Sequence, residues 1–282
     1  MTLRLCLPAP AKLNLMLHII GRRDDGYHLL ETVFQFIDLC DQLVFELRED
    51  GRIERRSGNS PIAAADDLLL RTASLLQARY RVKKGVDIAI DKKIPVGGGL
   101  GGGSSDAATC LLALNQLWQL DLSLDQLARI GLEIGADVPV FVCGKAAWAT
   151  GVGEELQPIE LEQPFYLVID PKTGVSTAEI FAAQELTRNC DPLTIRAFLR
   201  GEGTNVCQPV VRNRYPQVAA AIDWLDQSAP ARMSGTGACV FAAFDSLERA
   251  EEVKSRVPKK WSAYLARGLN RNPLHQQLGL LV

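Results

Sequence analysis

No single charge dominates this chain: 31 lysines and arginines face 33 aspartates and glutamates, a formal net charge of −2. Composition therefore offers no extended polyanion-binding surface and leaves room only for local basic pockets. Apolar runs long enough to span a bilayer are also missing. Lys12 and Asn14 interrupt the N-terminal segment, where a secretion signal needs unbroken apolar residues. The expected protein binds neither nucleic acid nor membrane and is cytoplasmic. Paired cysteine motifs are lacking as well. The seven cysteines, Cys6, Cys40, Cys110, Cys143, Cys190, Cys207 and Cys239, are scattered, odd in number and never spaced C-x-x-C. They support neither a zinc site nor a disulfide framework and read as reduced core thiols. With 47% hydrophobic and 23% charged residues over 282 positions, the chain can bury a large core, and two domains are expected.

What the chain has in excess is glycine in one place. Residues 95–108 read Pro-Val-Gly-Gly-Gly-Leu-Gly-Gly-Gly-Ser-Ser-Asp-Ala-Ala, six of them glycine. The segment joins an alternating run at 86–91 to a long apolar helical run ending near Trp118. Glycine loses the most backbone entropy on ordering, so such density is best explained where the chain needs φ > 0 and close approach to a ligand. Backbone N–H groups and the positive end of the following helix then converge on one point, which suits a phosphate. A Walker loop is excluded, because no lysine follows the last glycine, Gly103. Gly97, Gly99 and Gly102 satisfy G-x-G-x-x-G, but the dinucleotide fold also needs an acidic residue at the end of a second strand. Asp121 has that spacing, yet residues 115–120 read as a helix end and Ser123 to Gln126 as the capped start of another helix.

Elsewhere, residues 3–20 alternate as a strand, with Lys12 and Asn14 on one face roughly 7 Å apart. Two readings stand for that pair: a buried polar site that needs partners, or a solvated outer face. A charged turn, residues 21–26, leads into a second strand region, 28–47, that puts His28, Leu30, Thr32 and Phe34 on one face. His28 and Phe34 either present flat rings to a base or simply pack. Asp66-Asp67 is expected to cap a helix carrying Leu69, Ala73 and Leu76. Ser104 either caps the helix after the glycine loop or faces a phosphate or a magnesium ion. In residues 136–141, Pro139 is expected to forbid continuation of the preceding helix, and Asp137 either satisfies backbone N–H groups or is a catalytic carboxylate. Glycines and charge at 151–155 mark the expected boundary between domains 1–153 and 154–282. The second half reads as an α+β alternation: a strand at 164–169, helices at 178–183 and 216–225, a strand at 239–244, a helix at 245–257 capped by Asp245, and a strand near 261–265. Arg232 to Ala238 forms a second small-residue loop.

These motifs resemble the GHMP superfamily of small-molecule kinases, through Pro95, Gly99-Leu100, Ser104-Ser105 and Ala107-Ala108. Residues 10–15, Asp25 to His28, Gly135 to Pro139 and Ser234 to Ala238 resemble, more narrowly, its branch that acts on a cytidyl diphosphate-linked methylerythritol. The likeness spans nearly the whole chain and is weakest at 48–65 and 187–212. It implies an α+β, two-domain architecture with a cleft between an N-terminal ATP-binding domain and a C-terminal domain. It also implies transfer of the γ-phosphoryl group of ATP, with magnesium, to the 2-hydroxyl of the methylerythritol moiety. By the same resemblance Asp137 is the catalytic carboxylate and Lys12 its cationic neighbour. Asn14 positions substrate, Tyr27, His28, Phe34 and Phe181 surround the cytosine ring, and Thr177 lies in a substrate loop. Lys92, Pro95, Gly97, Gly98, Gly99, Leu100, Gly101, Gly102, Gly103, Ser104 and Ser105 are expected at the nucleotide. Ser234, Gly235, Thr236 and Gly237 form the second glycine loop, and no protein ligand of magnesium is assigned. Asp67 stands where related sequences carry asparagine near the adenine, and Asp106 either attracts magnesium or caps the helix. A mevalonate or homoserine kinase of the same superfamily is the nearest alternative, opposed by Tyr27 and His28. A nucleotide-binding regulator without catalysis is opposed by the presence of both Lys12 and Asp137.

Overall fold

A computed structural model describes residues 3–24, 26–56, 58–59, 63 and 67–280; Asp25 and Asp66 lie outside the described residues. The first half runs β1 (Arg4–Arg22), β2 (His28–Arg48), β3 (Ile53–Arg55), α1 (Leu68–Tyr80), β4 (Gly85–Asp91), α2 (Gly102–Leu117), α3 (Leu124–Ile134), α4 (Val138–Cys143), β5 (Ala147–Thr150) and β6 (Glu155–Pro158). The second continues β7 (Phe165–Asp170), α5 (Thr177–Ala182), α6 (Ile195–Leu199), α7 (Cys207–Arg214), α8 (Pro216–Asp226), β8 (Arg232–Met233), β9 (Val240–Phe244), α9 (Leu247–Ser255), β10 (Ser262–Leu269) and α10 (Pro273–Gln277). No described helix is long and apolar enough to cross a membrane.

Two long strands make the frame. β1 and β2 pair antiparallel from Arg4↔Glu46 to Arg22↔His28, with register shifts after Pro10, Asn14 and Ile19. Bulges of this kind bend a strand and re-aim its side chains. β4 extends this sheet on one side of β2. β10 joins β2 only through Gly268↔Ile37 and Leu269↔Phe36, then pairs with β7, which pairs with β9. One sheet thus serves two cores. Leu7 and Ala9 of β1 lie in the core built with α1 to α4, whereas Leu17 and Ile19 lie in the core of β7, β9, α7 and α8. Between them, Ala11 and Leu13 pack with Ile37, Tyr166, Val168 and Phe241. Lys12 and Asn14 sit at this junction and are buried, which rejects the solvated-face reading. The cause is α2, which packs across β1.

Local chemistry moves several expected boundaries. α2 begins at Gly102, capped by Gly101 at φ 72°, so Ser104 is inside the first turn and is not the cap. The preceding helix, α3, does end before Pro139, at Ile134, and Pro139 lies in the first turn of a new helix, α4, where its missing N–H would have no helical partner. The cap of α9 is Ser246, whose side chain accepts from the Arg249 N–H, and not Asp245. Asp67 does cap α1, accepting from Leu69 N–H, and also pairs with Arg55 at 2.7 Å. The glycines at 151–153 form the tip of the β5–β6 hairpin, which pairs Thr150 with Glu155, so the expected domain boundary falls inside a hairpin.

The end of β4 is pinned to α2 by a buried triad. Lys92 Nζ donates to Asp41 Oδ2 at 2.5 Å and to Asp106 Oδ2 at 2.7 Å, while Asp41 Oδ1 accepts from the N–H groups of Lys93 and Ile94. Two carboxylates share one ammonium. Burial pushes the Asp106 carboxyl up to about 7, with Lys92 opposing and Asp41 reinforcing the rise. A carboxyl raised on folding favours the folded state fully below its unfolded value of 3.8, and that contribution fades as pH rises through about 7. Asp106→Asn keeps an acceptor for Lys92 and removes this penalty. Thermal unfolding should therefore find the variant gaining on the parent protein as pH rises across that window, and at least as stable above it. A variant that melts lower at every pH would contradict the assignment.

Candidate active site

The junction of the two cores opens into a cavity of about 800 Å³. At one part of its wall lie Lys12, Asn14, Thr32, Phe34, Gly99, Gly101, Ser104 and Asp137; Tyr27, His28, Thr177, Phe181, Gly235 and Thr236 also line it. Sequence-expected residues from six separate stretches are brought together here.

Lys12 is the best-held of them. Its side chain is 3% exposed, and its Nζ faces Asp137 Oδ2 at 3.2 Å, the Gly99 carbonyl at 3.2 Å and, closer still, Asn14 Oδ1. Two of its three donors hydrogen-bond to Asn14 and Gly99, and Asp137 completes the set as an ion pair. The Phe34 ring lies 5.4 Å from the same nitrogen, so this phenylalanine sits against the lysine. Asn14 is itself oriented: its Nδ2 donates to Thr32 Oγ1 at 2.8 Å, and that hydroxyl donates to the Met16 carbonyl at 2.6 Å. The relay leaves the Asn14 amide oxygen for Lys12. Asp137 precedes α4 but makes no side-chain cap, and about a third of its side chain remains exposed to the cavity. Of its two readings, backbone satisfaction is therefore the one the geometry does not show.

The two glycine loops interlock. Ser234 Oγ donates to the Gly99 carbonyl at 2.9 Å and accepts from the Asn14 N–H at 3.2 Å, and the Cys239 N–H donates to the Gly98 carbonyl at 3.0 Å. Glycine is required at two points. Gly99 has φ +74°, and a Cβ there would overlap the Ser234 carbonyl oxygen. Gly101 has φ +72°, and its Cβ would come 3.0 Å from Lys12 Cε and 2.9 Å from Phe141. Thr236 meets Thr177 hydroxyl to hydroxyl at 2.8 Å, and Asn205 Nδ2 donates to the Met233 and Gly235 carbonyls.

Not every expected loop residue reaches the cavity. Gly99, Gly101 and Ser104 line it; Pro95, Gly97, Gly98, Leu100, Gly102, Gly103 and Ser105 do not, nor do Ser234 and Gly237. Leu100 is core, packed with Ala11 and Leu13, and Ser105 is fully buried. Lys92 is also absent from the lining, its ammonium enclosed by Asp41 and Asp106. Asp106 is buried in that triad and does not line the cavity. Among the described residues no cluster of three or more histidine, cysteine, aspartate or glutamate side chains could hold a metal.

The far wall is flatter. The His28 and Phe181 rings stack with centroids 5.1 Å apart and planes 20° apart, and Tyr27 is exposed beside them. Burial lowers the His28 pKa from the ordinary imidazole value, and Arg188 and Arg22 lower it further. Sequence reasoning misses Arg188, because residues 187–210 show no clear period. It also misses Thr32's relay role and the cavity lining by Arg22, Val152 and Gly153.

Comparison with known proteins agrees with this geometry. Residues 67–145 match the family described as GHMP kinases N terminal domain, and residues 182–263 match GHMP kinases C terminal. A 4-diphosphocytidyl-2-C-methyl-D-erythritol kinase of Nitrosococcus oceani is 58% identical over 93% of this chain and 94% of that protein. The enzyme of the same name from Pseudomonas aeruginosa is 50% identical over the whole of both chains. The crystal structure of a 4-(cytidine 5'-diphospho)-2C-methyl-D-erythritol kinase superposes with a TM-score of 0.82 at 32% identity, covering 94% of this chain and 99% of that one. A mevalonate kinase structure, at 15% identity and a TM-score of 0.70, shares the fold alone. With its cavity, its paired glycine loops and relatives of this identity over its full length, the chain belongs to the 4-diphosphocytidyl-2-C-methyl-D-erythritol kinase family of the GHMP kinases.

Proposed function

We propose that this protein is a small-molecule kinase that uses ATP to phosphorylate the 2-hydroxyl of 4-diphosphocytidyl-2-C-methyl-D-erythritol, giving the 2-phosphate and ADP in non-mevalonate isoprenoid precursor synthesis. The observation that carries this reading is the Lys12–Asp137 pair, 3.2 Å apart, in one cavity with the His28–Phe181 stack. The division of labour follows the two halves: residues 1–153 bind ATP, and residues 154–282 add Thr177 and Phe181 to the substrate side. The division passes through the β5–β6 hairpin, so the halves are tied there. Seven unpaired thiols support a cytoplasmic setting.

Phosphoryl transfer proceeds through a loose transition state, so the protein contributes mainly position and charge. Asp137 orients the acceptor hydroxyl and takes its proton as the new P–O bond forms and the bond between the γ-phosphorus and the ADP oxygen breaks. Lys12, fixed by three acceptors, stabilises the charge on the transferring group without having to reorganise. Gly99, Gly101 and Ser104, at the N-terminal end of α2, offer the triphosphate a close approach and a favourable helix dipole. Magnesium, when bound with the triphosphate, would supply charge neutralisation at the phosphate oxygens. Lys92 supports α2 from beneath through Asp106.

The experiment that tests the activity is magnesium-dependent ATP consumption with 4-diphosphocytidyl-2-C-methyl-D-erythritol, mevalonate and homoserine in parallel. Turnover with the first compound alone is expected; preference for either other alcohol would replace the substrate. Asp137→Ala should lower kcat by roughly 10²–10⁴-fold with little change in the KM for ATP. Unchanged kcat would remove Asp137 from the chemistry. Gly99→Ala should part the two glycine loops and depress kcat/KM for both substrates, and parent-like kinetics would show that their interlock is dispensable.

A further inference from the structure

Arg188 lies in the loop between α5 and α6, outside the cavity lining. Its guanidinium makes four hydrogen bonds. Nη1 donates to the Leu186 carbonyl at 3.1 Å, and Nη2 donates to the Phe181 carbonyl at 2.9 Å and to the Ala183 carbonyl at 2.6 Å. Nε donates to His28 Nε2 at 3.2 Å. One rigid planar fork therefore holds the end of α5, which carries Phe181, and the ring that Phe181 stacks upon. Lysine has no such geometry.

The fourth bond has a chemical consequence. A guanidinium has no acceptor, so Nε2 of His28 must be the unprotonated nitrogen. In a neutral imidazole the proton then resides on Nδ1. On the basis of the proposed cytidyl substrate, we infer that Arg188 is a positioning residue for the pyrimidine end of the site: it locks His28 against Phe181 and fixes it as the Nδ1–H tautomer. What His28 offers a ligand is a donor, matched to a ring acceptor such as cytosine carries. Arg188 does this without touching the ligand. The charged groups facing His28 are Arg188 and, from the end of β1, Arg22; both are cations and both oppose its protonation. The tautomer therefore persists as pH falls below the usual histidine range.

The chain has three histidines, His18, His28 and His275, so ¹⁵N spectra of the imidazole nitrogens are assignable with one His28→Gln control. The parent protein should show His28 protonated at Nδ1. Arg188→Met should show a mixture with the Nε2–H form and a titration midpoint moved upward, with the KM for the cytidyl substrate raised about tenfold, kcat changed far less, and the KM for ATP unmoved. Arg188→Lys should keep the low midpoint, since the cation remains, yet lose the single tautomer. A purely structural arginine would raise KM and leave the tautomer alone. Nε2–H as the form in the parent protein, or a Met variant with the parent tautomer and KM, would overturn the inference. Should the Met variant not fold, the parent spectrum and the Lys variant decide it. Absence of turnover with the cytidyl substrate in the parent protein would instead overturn the functional reading, and the tautomer would still judge Arg188.

Discussion

A lysine ammonium buried to 3% exposure is the constraint on which the rest of this structure depends. Removing such a charge from water costs several kcal/mol unless every donor finds an acceptor. Lys12 finds three, and each comes from a different element: Asn14 from its own strand, the Gly99 carbonyl from the first glycine loop, and Asp137 from the start of α4. If any of the three moves, the charge is stranded. The fold therefore has to fix strand, loop and helix end against one another, and the site is assembled as a by-product of satisfying a buried cation.

That requirement propagates outward through neutral groups. Thr32 turns the Asn14 amide, Ser234 binds the same Gly99 carbonyl that Lys12 uses, and Gly101 leaves room for the lysine stem. Because Ser234 belongs to the second glycine loop, the interlock couples the C-terminal half to a catalytic group of the N-terminal half. A cavity between two cores would ordinarily be free to flex. Here β1 contributes side chains to both cores and to their junction. The rigid strand that carries Lys12 is thus also the element that holds the two halves together, and preorganisation of the charge needs no separate device.

Much of this is legible from the sequence. The long strands follow from alternation, and a lysine and an asparagine on an otherwise apolar strand signal a polar site as soon as a helix covers it. Asp137 is visible because it stands at an element boundary with no capping task, although Pro139 hides the helix that follows. Other features depend on partners far away in the chain. The family resemblance places Lys92 at the nucleotide; Asp41, 51 residues earlier, and Asp106 divert its ammonium. Ser104 reads as a cap because hydroxyls usually are, but the left-handed Gly101 starts α2 earlier. Leu100 looks like a loop residue and is core, since a strand cannot reveal which loop residues its far side will cover. Arg188 carries no periodic signal at all. Its meaning comes from four acceptors, three of them main-chain carbonyls whose positions no side-chain pattern encodes.

The central claim is that Lys12 and Asp137 act as one unit at the phosphoryl acceptor. A double-mutant cycle with Lys12→Met and Asp137→Asn, read as single-turnover phosphorylation of 4-diphosphocytidyl-2-C-methyl-D-erythritol, tests it most directly. The account predicts that the double variant loses about as much rate as the worse single variant, because either change alone dismantles the pair. Losses that multiply, as for two independent residues, would contradict it.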